Sequence, residues 1–131
     1  MKKIILASVL SMFPLMSFAN SCTVPAQLDG LTLTTLTNPL YDKNKTNAGA
    51  LAKIKFSTDT YDYKALNRTT TYTSNYTYQQ LGPTNGIGLL EGTMGSLNYT
   101  YTFKCLTDDS GIAVYTDEAR NKQNTFFYSE G

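Results

Sequence analysis

Histidine is absent from this 131-residue sequence, so the side chains left to do chemistry are carboxylates, two cysteines and ten tyrosines. Without histidine there is no Ser-His-Asp or Cys-His nucleophile system. A histidine-based zinc site is excluded as well, and two cysteines cannot build a structural zinc site alone. Asp108-Asp109 and Asp117-Glu118 have the composition of an acid pair or a Ca²⁺ site. The competing reading is solvated hairpin turns, which is favoured because Asp is a preferred turn residue. Glu91 lies within an apolar run, Leu89-Leu90-Glu91, and is the acid of most interest. Pointing into a barrel it would hook a ligand; solvent is the favoured direction, since acids are seldom buried. Gly82 to Gly88 is glycine-rich but precedes no helix, so it does not read as a phosphate cradle. No metal or cofactor is expected, and enzymatic activity ranks third among the functions considered.

Cys22 and Cys105 form an even pair. In an oxidising compartment such a pair reads as one disulfide, here closing a loop of more than 80 residues. Cys105 follows Tyr99, Tyr101 and Phe103 at a spacing of two, which puts it on the same face, toward the core. The alternative is a lipoprotein acylated at Cys22. The preceding Ala19-Asn20-Ser21 lacks the usual Leu three positions upstream, so the disulfide is favoured.

The tyrosines carry the strongest pattern. Asn75-Tyr76-Thr77-Tyr78 recurs letter for letter as Asn98-Tyr99-Thr100-Tyr101. Alternating Tyr and Thr is the signature of a strand with one buried and one wet face. Tyr72, Tyr76, Tyr78, Tyr99 and Tyr101 are spaced to line one face of adjacent strands. A rigid ring with a hydroxyl suits a ligand cavity or a protein interface. It equally suits a core whose hydroxyls reach the rim. These five tyrosines and Glu91 are the candidate ligand- or partner-binding residues.

Those residues need a sheet to position them. Alternating segments occur at Leu31–Thr34, Ala52–Phe56, Tyr61–Lys64, Thr69–Tyr78, Ile87–Thr93, Leu97–Cys105, Ile112–Tyr115 and Asn124–Tyr128. Turn signals separate them, among them Leu28-Asp29-Gly30, Asp59-Thr60, Asn85-Gly86, Gly95-Ser96 and Asp108 to Gly111. Asn38 to Gly49 reads as a long polar loop with room for a short helical turn, and Asp117 to Gln123 as a second polar loop. About eight strands at this spacing, with no sustained helical period, indicate an all-β barrel or sandwich. Connections this short let neighbours pair, and closure removes open edges, so a small up-and-down antiparallel barrel is expected.

Tyr76-x-Tyr78, the turn with Gly86-x-Gly88, Tyr99-Thr100-Tyr101-Thr102-Phe103 and Gly111-Ile112-Ala113 together resemble small secreted bacterial barrels of the calycin, or lipocalin-like, type. The resemblance runs roughly from Asp59 to Tyr128 and is one of architecture. Leu28-Asp29-Gly30-Leu31 stands where a lipocalin carries Gly-x-Trp, and this chain has no Trp. The resemblance implies a binding protein rather than an enzyme.

Residues 1–19 read as a signal peptide: Lys2-Lys3, an apolar run from Ile4 to Met16, and a small-x-small cleavage site at Ser17-Phe18-Ala19. The run is short for a membrane span, and no transmembrane segment is expected after cleavage. Residues 20–131 would form one β-barrel domain. Loss of Lys2 and Lys3 leaves nine Lys/Arg against ten Asp/Glu, a near-neutral chain without the basic footprint of nucleic-acid binding. The Lys-only leader looks bacterial, which argues against use of the Asn-x-Thr sequons at Asn44, Asn67, Asn75 and Asn98. The expectation is a periplasmic or secreted protein that binds another protein, as an inhibitor or a toxin-immunity protein does. The alternative is a lipocalin-like carrier of a small apolar ligand among the tyrosines.

Overall fold

The computed structural model describes residues 22–38, 48–82, 84–117 and 122–131. The leader, most of the Asn38–Gly49 loop with Asn44, and Glu118 with the loop that follows it lie outside the described residues.

Eight antiparallel strands follow one another in chain order: β1 (Thr32–Thr37), β2 (Leu51–Phe56), β3 (Thr60–Ala65), β4 (Tyr72–Leu81), β5 (Ile87–Met94), β6 (Leu97–Thr107), β7 (Ser110–Asp117) and β8 (Lys122–Glu130). Each pairs with its sequence neighbour, and β1 pairs with β8, so the sheet closes into an up-and-down barrel. The expected fold class is therefore the observed one.

Alternation decides what points inward. β2 shows it most cleanly: Ala52, Ile54 and Phe56 are buried, while Leu51, Lys53 and Lys55 are exposed. The interior is aromatic. Phe56, Tyr61 and Tyr76 form one ring cluster, and Tyr99, Tyr101, Tyr115 and Phe126 a second. Phe103 joins Tyr78 and Tyr128 edge-on in a third. So many rings fit because glycine stands opposite them. Tyr99 faces Gly92 across the β5–β6 ladder and Tyr128 faces Gly111 across β7–β8. A Cβ at Gly92 would fall within the Tyr99 ring, and one at Gly111 would strike the Lys104 carbonyl oxygen.

A segment before β1 covers the end of the barrel where the β4–β5 and β6–β7 turns lie. Cys22–Cys105 is a disulfide spanning 83 residues of sequence, with a Cα–Cα distance of 6.0 Å. Val24 and Leu28 are buried against the core. Val24 N–H donates to the Asn85 carbonyl at 2.8 Å, while Tyr78 Oη donates to the Pro25 carbonyl at 2.8 Å and Gln80 Nε2 to the Val24 carbonyl at 2.8 Å. The Leu28-Asp29-Gly30 turn forms as expected: Leu31 N–H donates to the Leu28 carbonyl at 2.9 Å. This strap delivers the chain into β1.

The strands run longer than the alternating segments alone suggest. β7 extends to Asp117, which the sequence places in a polar loop. Asp117 instead shares the inward face with Ala113 and Tyr115 and is 1% exposed. Tyr115 Oη donates to its carboxylate at 3.2 Å.

Candidate functional site

The structure puts Tyr76, Tyr78, Tyr99 and Tyr101 inside the barrel, where their rings fill space. Tyr72 has the same strand parity but stands half exposed at the start of β4. The four interior tyrosines are thus brought together as core, Tyr76 and Tyr99 buried and Tyr78 and Tyr101 partly buried against it. The hydroxyls of Tyr76, Tyr78 and Tyr99 are used internally. Tyr76 Oη donates to the Ser57 carbonyl at 2.6 Å. Tyr61, Tyr99 and Ser74 share a relay in which Tyr61 bonds to Tyr99, Tyr99 lies 2.7 Å from Ser74 Oγ, and Ser74 donates to the Thr93 carbonyl at 3.0 Å. Burial pushes the phenols of Tyr61, Tyr78 and Tyr101 well above the usual range, and Tyr128 up to about 12. Loss of hydration penalises the phenolate. These groups stay neutral at physiological pH, and Tyr61 and Tyr78 hydrogen-bond in that form.

An interior gap of about 20 Å³ is bordered by Thr35, Ile54, Tyr63, Tyr101 and Phe126. That is room for one water, against the few hundred cubic ångströms a carried ligand needs.

The acids separate. Asp108 and Asp109 form the β6–β7 turn, and Asp117 closes the far end of β7, roughly 24 Å away at strand rise. Asp108 accepts from Thr23 N–H at 3.2 Å and Asp109 from Thr107 Oγ1 at 2.7 Å, so both brace the strap end of the barrel. No cluster of metal-ligating side chains occurs among the described residues. Glu91 points outward, between Thr77 and Thr100 in the ladders.

The outer surface carries what the sequence reading missed. Residues paired across a ladder share a face. Ile112 pairs with Phe127, Phe127 with Leu36, and Leu36 with Leu51, giving an unbroken apolar row over four strands. Leu66 extends it through its N–H bond to the Leu51 carbonyl at 2.9 Å. Phe127 is 49% exposed at its centre. A signal existed: Phe126-Phe127 are consecutive in a strand, so one ring had to face out. Around the barrel, on the outer side of β4–β7, lies a polar trough of about 450 Å³ bordered by Asn75, Thr77, Glu91, Asn98, Thr100 and Thr116.

Comparison with protein-family models, with characterised proteins and with solved structures finds no match. The resemblance to calycins therefore stands on barrel shape alone, which many families share. The disulfide is consistent with an oxidising compartment.

Proposed function

We propose that this chain is an exported, non-enzymatic binding protein of the bacterial envelope. Its target is another protein, in the manner of an inhibitor or a toxin-immunity protein. The observation that supports this reading is the apolar row centred on Phe127. A soluble barrel gains nothing from exposing Ile112, Phe127, Leu36 and Leu51 side by side, whereas an interface with an aromatic anchor does. The disulfide and the aromatic core give a rigid platform, which keeps the ordering cost of association low. Apolar-ligand carriage finds less support, because the barrel is filled by its own rings. Periplasmic or extracellular residence follows from the leader and suits the disulfide.

Site-specific photocrosslinking tests the proposal. A benzoylphenylalanine placed at position 127 in the exported protein is expected to yield a discrete protein adduct in native envelopes. The same probe at Lys55, on the outer face but off the row, is expected to yield none. Equal labelling from both positions, or none from 127, rejects the docking row.

A further inference from the structure

The trough on β4–β7 is a second shaped surface, and the internal repeat builds it. Both copies of Asn-Tyr-Thr-Tyr flank β5, with Asn75 and Asn98 opposite Thr93, and Thr77 and Thr100 opposite Glu91. The tyrosines of each copy turn inward and the amides and hydroxyls turn out. What results is a hydrogen-bonding surface with one charge at its middle. Among the described residues no lysine or arginine borders it, and the Glu91 carboxylate makes no ion pair with any of them. Thr77 and Thr100 make no side-chain hydrogen bond there either.

We infer that this trough is a guanidinium-recognition subsite, taking an arginine side chain of the partner protein. An arginine presents a planar fork of donors that a carboxylate accepts two at a time. Its remaining donors would meet the Thr77 and Thr100 hydroxyls on either side of Glu91. Charge complementarity selects a cation over an anion. The geometry also disfavours a sugar, because the rings of Tyr76 and Tyr99 are buried and offer no stacking face. The inference rests on the protein-partner reading and sharpens it. Thr116 lies four residues along β7 from Ile112, and Glu91 stands two strands over from Thr116, so the charge is roughly 17 Å from the near end of the apolar row. One interface of ordinary size spans both. The partner is therefore a protein with an exposed arginine about that far from an apolar pocket.

The test follows backbone amide resonances of the oxidised full-length protein by NMR. Three probes are added separately: acetyl-Gly-Arg-Gly-amide, its citrulline counterpart of equal shape without charge, and tri-N-acetylglucosamine. The arginine peptide is expected to shift Thr77, Glu91 and Thr100 saturably, in roughly the millimolar range for so small a probe. The citrulline peptide and the Glu91→Gln variant should each bind roughly tenfold more weakly, as loss of a charge-assisted pair requires. Absence of saturation, equal binding of citrulline, or saturation by the oligosaccharide in place of the peptide overturns the inference. Failure of the docking row looks different. If crosslinks at position 127 vanish while the arginine titration holds, the row falls and the subsite stands. If crosslinks persist and the titration fails, the subsite alone falls.

Discussion

The two ends of the barrel are closed by different physics. At the end with the β4–β5 and β6–β7 turns, a strap of backbone crosses the opening. It is fastened by a disulfide, weighted by Val24 and Leu28, and held by the Tyr78 and Gln80 bonds to its carbonyls. Toward the end with the β5–β6 turn and the β7–β8 loop, side chains do the closing. There the Tyr61–Tyr99–Ser74 relay and the Tyr115–Asp117 bond occupy the interior. Thr37 is buried there with its hydroxyl unpaired, as is Thr35 nearer the middle. The first end is covalent and apolar. The second is a polar network, which is strong only while every member is satisfied.

Alkali separates the two ends most strongly. The phenols of Tyr61, Tyr78, Tyr101 and Tyr128 have folded pKa values above the ordinary value near 10, because burial favours the neutral form. Their stabilising contribution is complete below about pH 10 and is lost as pH rises through the folded pKa. Tyr128, at about 12 and next to the strap, gives way before Tyr61 and Tyr101. Tyrosinate absorbance read against near-ultraviolet dichroism should show loosening begin at the strap end, and Tyr128→Phe should move the onset to higher pH. Coincidence of the two onsets in both proteins would dissolve the contrast.

Removal of the disulfide comes next. Cys22→Ser with Cys105→Ser is expected to cost about 4–5 kcal/mol in the chain-entropy account of an 83-residue closure. Denaturant titration at neutral pH measures it, with the hydroxyl relay left intact. Leu28→Ala should cost about 3 kcal/mol, because it opens a cavity beneath the strap. If the double-serine variant already frees the strap, Leu28→Ala in that background should cost far less, and this coupling sharpens the idea of a single sealing unit.

At the polar end the effects are smaller. Tyr99→Phe orphans Tyr61 Oη and takes one partner from Ser74 Oγ, which keeps its bond to the Thr93 carbonyl, at about 1–3 kcal/mol. Tyr78→Phe frees only a carbonyl of the strap and should cost about 1 kcal/mol. The smallest change has the opposite sign. Thr37→Val removes an unpaired buried hydroxyl at nearly constant shape and should be neutral or stabilising by up to about 1 kcal/mol.

Much of the frame was legible because a strand repeats every two residues. The parity of Tyr99, Tyr101, Phe103 and Cys105 alone put the cysteine in the core, and the turn residues separated eight strands. What stayed hidden depends on register between distant strands. Leu36 meets Phe127 across more than 90 residues of sequence, and no local pattern announces that contact. Glu91 was ambiguous because Leu89 and Leu90 make both faces apolar, so alternation is silent there. Asp117 was read as loop from its charge, although Ala113 and Tyr115 already set its parity inward. The tyrosines suited a core or a core with a binding surface, because the ring packs while the hydroxyl takes water. Glycines at the facing positions let the rings lie inside.

The ladder that closes the barrel joins β1 to β8, the first and last of the described strands. Until β8 is in place, β1 presents a bare row of amides and carbonyls on one margin. Closure is thus the most non-local event in the fold, and maturation is paced by it. A chain without β8 would be a ribbon with two open margins, prone to zip onto its siblings.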